Sequence, residues 1–350
     1  MALPRPAGDF KRSFAADEAV FPTAFSRGAL VLFLAGLGAL PLVLDDFWLY
    51  LLNLCGIAIV GAQGLNILTG FTGQISLGHG AFIGVGAYTV GVLATKLGWG
   101  PLVALPAAGL AAALVGLLFG LPSLRIKGFY LAMATLAAQF ILEYLFMQAA
   151  PLTGGAQGLY VDRPAVLGFA VDSDRKFFYV MMTVAALATA GARNLLRTDV
   201  GRCFVAVRDR DIAAELIGIN LFAYKLLAFA LSSFYAGIAG GLLAYYVSAI
   251  NPQAFTVLLS VDYLAMIIIG GLGSVLGATL GAVFITLLPE ILKLLIDAAG
   301  SYLPIENIFP ALREIIFGLL IVLFLLREPE GLAKLWWDIK AYWKLWPFAY

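Results

Sequence analysis

Gly64-Leu-Asn66-Ile-Leu-Thr-Gly70-Phe-Thr-Gly73-Gln74-Ile-Ser76-Leu-Gly78-His79-Gly80-Ala-Phe-Ile-Gly84-Val-Gly86-Ala-Tyr88 is the stretch whose reading decides the fold. It is apolar enough to sit in a membrane, yet it carries seven glycines, the single histidine of the chain and three polar side chains, Asn66, Gln74 and Ser76. Glycine at this density would cost a water-exposed helix about 1 kcal/mol per residue. In a bilayer, small residues instead let backbones approach closely. Irregular backbone survives there only where protein buries it or where it lines a cavity. Two readings follow: a tight packing seam, or a helix broken beside a pathway.

The surrounding composition places the whole chain in a membrane. Hydrophobic residues make up 62% of the 350 and charged residues 12%, about half the charge of a soluble domain at roughly 25%. Apolar runs occupy 28–44, 47–70, 77–95, 101–122, 128–150, 177–196, 222–247, 258–273, 277–296 and 311–326. The expected fold is an all-α polytopic membrane protein of about ten segments, with a lower bound of about eight. The run 258–273 is short for a full crossing and can pair with its neighbour as a re-entrant hairpin. Alternating short segments typical of outer-membrane barrels are lacking. Net charge is +1, which leaves no nucleic-acid footprint. Cys55 and Cys203 have neither disulfide nor metal spacing.

With both termini on the cytoplasmic side, the 22 basic residues fall inside except Lys96, Arg163, Arg175, Lys176, Lys293 and Arg313. This bias follows the positive-inside rule. It divides the chain into an N-terminal cytoplasmic tail (1–27), a transmembrane region (28–326) and a cytoplasmic or interfacial tail (327–350). Within the transmembrane region, 151–176 is expected on the outer side and 197–221 on the cytoplasmic side. The C-terminal tail mixes Trp336, Trp337, Trp343 and Trp346 with lysines, a composition suited to an amphipathic helix at the membrane–water boundary. Gly270-Gly-Leu-Gly273-Ser-Val-Leu-Gly277 echoes Gly70-Phe-Thr-Gly73-Gln-Ile-Ser-Leu-Gly78, as an internal repeat would.

The cytoplasmic loop has its own short element. Asp211 stands where a helix N-cap belongs and Gly218 where a helix stops. Ile212, Leu216 and Ile219, at i, i+4 and i+7, share a face. Such a short helix gains stability by docking that face in a partner's groove, or it is a charged loop that only sets orientation. The chain lacks a Gly-x-x-x-x-Gly-Lys-Ser/Thr phosphate loop. A nucleotide-driven motor would therefore be a separate polypeptide.

These residues resemble the LivM-type permeases of ATP-binding-cassette importers for branched-chain amino acids. The resemblance rests on Gly64 through Phe82, Leu121-Pro-Ser-Leu-Arg-Ile-Lys-Gly-Phe-Tyr130, Thr153-Gly-Gly, Gly201-Arg202, Arg208-Asp209-Arg210-Asp211-Ile212-Ala-Ala-Glu215 to Gly218-Ile219-Asn220, Tyr224-Lys225, Ser248 through Pro252, and Gly270 through Ser274. It covers about residues 50–330 in the family's order. It implies a non-catalytic subunit of an importer in the bacterial inner membrane, with a fold like that of ribose-type and vitamin B12-type permeases. The implied partners are a second, LivH-like permease, two cytoplasmic ATPases, a periplasmic or lipid-anchored substrate-binding protein and membrane lipid. No cofactor is expected on this chain, ATP and magnesium being used by the ATPases.

The resemblance also assigns roles. Arg208, Asp209, Asp211, Ile212, Glu215, Leu216 and Gly218 would couple the chain to the ATPases, with 209–218 as the coupling helix. Asn66, Gln74, Ser76 and His79 are the candidates to line the translocation pathway. Each equally fits a structural role: the amides and hydroxyl as glue between helices, the histidine as a ring satisfied by nearby backbone. Glu143, one turn from Gln139, is the intramembrane carboxylate that a rival reading, a self-sufficient ion-coupled transporter or channel, would need.

Overall fold

The computed structural model describes residues 24–123, 128–166, 169–298, 315, 316, 318, 319, 321–323, 326 and 330–345. Residues 1–23 of the expected tail 1–27, the motif residues 124–127 with Arg125 and Lys127, residues 299–314 with Arg313, and 327–329 and 346–350 of the C-terminal tail lie outside the described residues.

In chain order the helices are α1 Ala24–Val43, α2 Asp46–Leu65, α3 His79–Leu97, α4 Pro101–Ser123, α5 Phe129–Gln148 and the single turn α6 Ala150–Thr153. They continue as α7 Asp174–Arg197, α8 Asp199–Asp209, α9 Asp211–Leu216, α10 Leu221–Val247, α11 Val257–Gly270, α12 Val275–Ala298 and α13 Gly331–Leu345. Two-residue strands cap one end of the bundle. β1 Leu159–Tyr160 pairs antiparallel with β4 Ala249–Ile250, and β2 Ala165–Val166 with β3 Phe169–Ala170. Arg163 ties this cap to the start of α7 through the Asp174 carboxylate at 2.9 Å.

Among the described residues, seven helices are long and apolar enough to cross a membrane: Asp46–Phe71, His79–Leu97, Pro101–Leu121, Tyr130–Gln148, Leu221–Val247, Pro252–Gly270 and Val275–Leu294. This is fewer than the ten runs read from sequence, for local reasons. The apolar part of α1, Gly28–Val43, is shorter. α7 has 24 residues but charged ends. It buries Phe177, Phe178, Met181, Ala185 and Ala192 along one stripe against α2 and leaves the other face exposed. The run 311–326 is described only in part, its described residues being helical. The short run 258–273 gains length because a 3₁₀ turn at Pro252–Ala254 leads into α11.

α10 forms the centre of the bundle and packs along α4, α3 and α2, while α2 also contacts α7 and α12. Glycine makes the closest of these approaches possible. A Cβ on Gly86 of α3 would collide with the Gly237 carbonyl of α10, and one on Gly240 of α10 with the Ile83 carbonyl of α3. The opening stretch combines a seam with a break: its second half packs as a helix–helix seam, and its first half contains an interruption of the helix.

Candidate functional site: the broken helix and the loop beneath it

The break begins as a change of helical register. α2 continues as a π-helical segment, Asn66–Phe71, with its side chains buried. Single π turns inside helices mark local strain and recur at functional sites. The backbone is then irregular until α3 starts at His79, with Gly73 at φ +70°. His79 lies against Gly61, so α3 starts about 15 Å short of the Phe71 end of the helical run, at ~1.5 Å per residue. The irregular stretch therefore lies within the bundle.

Backbone polar groups buried there must find partners. Gly73 N–H and Gln74 N–H donate to the Thr69 and Leu68 carbonyls, both at 3.1 Å. Thr69 Oγ1 donates to the Gln74 carbonyl at 3.0 Å. The first turn of α3 is capped by other helices. Leu77 N–H donates to Thr135 Oγ1 at 2.9 Å, Gly80 N–H to Ser260 Oγ at 2.8 Å and Ala81 N–H to Gln139 Oε1 at 2.8 Å. Gln139 Nε2 in turn donates to the Phe255 carbonyl at 2.6 Å, and Ser260 Oγ donates to Gln139 Oε1 at 3.1 Å. One buried amide thus joins α3, α5 and the entry to α11.

All four pathway candidates are buried at or beside this break. Asn66 accepts from Gly273 N–H at 2.9 Å and donates to the Ser274 carbonyl at 3.2 Å. It thereby pins the turn between α11 and α12, the second glycine-rich stretch, onto the first. His79 Nε2 lies 2.9 Å from the Gly61 carbonyl. A carbonyl only accepts, so Nε2 carries the proton. The imidazole also stands edge-on to Tyr263, with ring centroids 5.3 Å apart. Ser76 Oγ accepts from Gly78 N–H at 3.4 Å. Gln74 Nε2 donates to Thr72 Oγ1 at 2.9 Å and to the Lys225 carbonyl at 3.4 Å, while its Oε1 has no partner among the described residues. In this conformation Asn66, Ser76 and His79 hold backbone, and Gln74 keeps an acceptor in reserve.

The loop 197–221 folds as two helices. Thr198 caps α8, its Oγ1 accepting from Gly201 N–H at 3.3 Å. α9 begins at Asp211, with Arg210 rather than Asp211 in the cap position. The Asp211 carboxylate accepts from the adjacent Ile212 N–H at 2.9 Å. Gly218, at φ +92°, ends α9. Its N–H donates to the Glu215 carbonyl and Ile219 N–H to the Ala214 carbonyl, both at 3.0 Å. These two bonds form a Schellman stop. Ala214 faces inward, whereas Ile212, Leu216 and Ile217 are 68%, 83% and 76% exposed. Glu215 joins Ile219, Asn220, Phe222 and Lys225 around an open cleft.

The coupling candidates divide in two. Asp211, Ile212, Glu215, Leu216 and Gly218 belong to α9 and its stop. Arg208 and Asp209 close α8, and Arg208 turns back toward the break: its Nη1 donates to the Gly70 carbonyl at 3.0 Å and its Nε pairs with Asp209 Oδ1 at 2.9 Å. Sequence reasoning missed Thr135, Gln139 and Ser260 as parts of the site. The signal for the first two was a threonine and an amide at i and i+4 on one face of an apolar helix. In sequence, Gln139 stands out only as a neighbour of Glu143, which is half-buried on α5.

Residues 47–325 match the family described as the permease component of branched-chain amino acid transport systems. The high-affinity branched-chain amino acid transport system permease protein LivM of Escherichia coli K12 is 31% identical over 303 residues, which cover 80% of this chain and 68% of that protein. A probable branched-chain amino acid transport permease protein LivH of Methanocaldococcus jannaschii is 25% identical over 79% of this chain and 88% of its own. The ribose import permease protein RbsC of Haemophilus influenzae is 30% identical over 43% of this chain and 51% of its own. No solved structure matches. A family match that spans the break, the loop and the seven apolar helices decides the assignment: the chain is a multi-pass membrane protein and belongs to the family of permease components of branched-chain amino acid transport systems.

Proposed function

We propose that this chain is one of two membrane-spanning subunits of an ATP-driven importer, forming half of the pathway for branched-chain amino acids or closely related small molecules. A second, LivH-like permease would complete the pathway, two cytoplasmic ATPases would drive it, and a periplasmic or lipid-anchored binding protein would deliver the substrate. The observation that carries this reading is α9, a six-residue helix with Ile212, Leu216 and Ile217 exposed in a chain of a transport-permease family. A helix this short is marginal alone, and its apolar face suits a groove on a motor subunit.

In this reading the chain lies in the inner membrane with about ten spans and both termini cytoplasmic. The loop 197–221 is on the ATPase side, and the strand-capped end built from 151–176 meets the binding protein. ATP closes the motors, α9 moves with them, and the break at 73–78 rearranges to switch access. Gln74, whose Oε1 lacks a partner among the described residues, is the candidate to meet substrate; Asn66, Ser76 and His79 hold the backbone around it.

The test is reconstitution of the chain with its partner permease and ATPases in liposomes, with the binding protein outside and ATP inside, following labelled leucine. Leu216→Asp is expected to insert normally and lose uptake. Wild-type uptake by that variant would overturn α9 as the coupling element. Uptake by this chain alone, driven by an ion gradient, would overturn the ATP-driven reading.

A further inference from the structure

Arg208 occupies a place that two glycine-rich stretches leave open for it. It lies at the end of α8, and only Asp209 and Arg210 separate it from α9. Its guanidinium donates to the carbonyl of Gly70, in the last turn of the π segment. A Cβ on Gly73 would stand 3.1 Å from Arg208 Cγ, and one on Gly273 would stand 2.9 Å from Nη1 and 3.1 Å from the Gly70 carbonyl oxygen. Both glycines have positive φ, +70° and +77°, so a side chain at either position is strained as well as crowded. Asn66 fastens the Gly273 turn from the other side. One arginine is thus clamped between the break and its counterpart turn.

The same helix is attached by an apolar contact. Phe204, one turn before Arg208, is fully buried in a cluster with Ile67, Leu68 and Phe71 of the π segment. α8 therefore grips the π segment with a ring and with a charge. The carbonyls at a helix end have no intrahelical partner and form the negative end of its dipole, so a guanidinium is a strong partner for them. A π segment is a local departure from α-helical hydrogen bonding, of the kind that recurs at functional sites.

We infer that Arg208 is the positioning residue through which movement of the α8–α9 loop reaches the broken helix. It is not a contact for the ATPases, and the inference rests on the reading of α9 as the element they grip. When α9 is displaced, α8 carries Arg208 with it, and the Gly70 carbonyl and the register of the π segment follow. Without the guanidinium, α9 still docks, but its movement is no longer transmitted in full.

The experiment uses the assembled transporter in liposomes and measures substrate moved per ATP hydrolysed, together with co-purification of the ATPases and thermal stability. Arg208→Met is expected to retain the ATPases and to lower the transport-to-hydrolysis ratio at least five-fold. Arg208→Lys, which keeps a charged donor near the Gly70 carbonyl, is expected to restore at least half of the ratio. A methionine variant within two-fold of the wild-type ratio overturns the inference, and so does loss of the ATPases, which would make Arg208 a docking residue. A lysine variant no better than methionine overturns the hydrogen-bond basis. If uptake and hydrolysis fall in parallel with a lowered melting temperature in both variants, the role is structural and the inference fails. If the wild-type assembly shows no ATP-dependent uptake, the underlying reading falls and the inference with it.

Discussion

The side-chain amide of Gln139 caps the first turn of α3 from a neighbouring helix, its Oε1 accepting the Ala81 N–H at 2.8 Å across 58 positions of sequence. A helix that starts inside a bilayer has free N–H groups and no water to satisfy them. Here the first turn of α3 finds Ser260 and Gln139 instead, and Leu77 just ahead of it finds Thr135.

Gln139→Leu keeps the volume of the side chain and removes both of its hydrogen-bonding ends. Ala81 N–H and the Phe255 carbonyl are then left without the amide that joins them. Each unsatisfied buried group costs about 1–3 kcal/mol. A clearly lower thermal unfolding midpoint in detergent is expected, with a smaller loss for Ser260→Ala, which leaves the amide in place. An unchanged midpoint for the leucine variant would refute the capping role.

For His79, the hydrogen bond to Gly61 calls for a donor and not for a titrating ring. His79→Gln supplies a donor of similar reach and is expected to keep most of the wild-type uptake and stability. His79→Leu leaves the group opposite Gly61 apolar and loses a bond worth about 1 kcal/mol. If the two variants lose uptake equally while remaining folded, the imidazole acts on the substrate, and the backbone-holding role is wrong.

Gly240→Val places branched carbon against the Ile83 carbonyl, where even a Cβ collides. Overpacking of this kind costs about 1–3 kcal/mol. Backbone has little room to yield, so the upper end is expected, read as lost yield and a lowered melting temperature. Gly36→Ala is the control: nothing lies within 4 Å of a Cβ there, and stability should be unchanged or raised by up to about 1 kcal/mol.

Gly218 ends α9 at φ +92°, a conformation that costs an ordinary residue about 1–2 kcal/mol. Gly218→Val is expected to fray α9 and weaken ATPase retention, while the melting temperature of the bundle stays close to wild type. Pull-down of the ATPases beside a thermal scan separates the two effects. Normal retention would show that the Schellman stop does not matter for docking.

Much of this architecture was legible in the sequence, and the misses have physical causes. The long apolar runs matched helices to within a few residues, 47–70 against Asp46–Phe71 and 222–247 against Leu221–Val247, because span length is set by bilayer thickness. The stop of α9 was legible because glycine supplies a positive φ that other residues resist. The N-cap was placed one residue late, since an aspartate just inside a helix looks like one at its cap. α8 was missed because its charged, weakly apolar sequence is stabilised by Phe204 and Val207 reaching into the bundle, a contact no local pattern records. α7 covers the apolar run 177–196, but its charged ends keep it outside the seven helices that are long and apolar enough to cross a membrane.

Sequence alone determined that the chain is a membrane bundle, that residues 64–88 bring backbones unusually close, and that a short helix starts near Asp211 and stops at Gly218. Those properties depend on composition, periodicity and local backbone preference. Only the tertiary structure decided what Asn66, Gln74, Ser76, His79 and Arg208 touch. Asn66 meets Gly273, Arg208 meets Gly70, and Gln139 meets Ala81, at separations of 207, 138 and 58 residues. A bilayer offers buried backbone no water, so each free N–H and carbonyl at the break takes whichever polar side chain the packing of distant helices brings within reach.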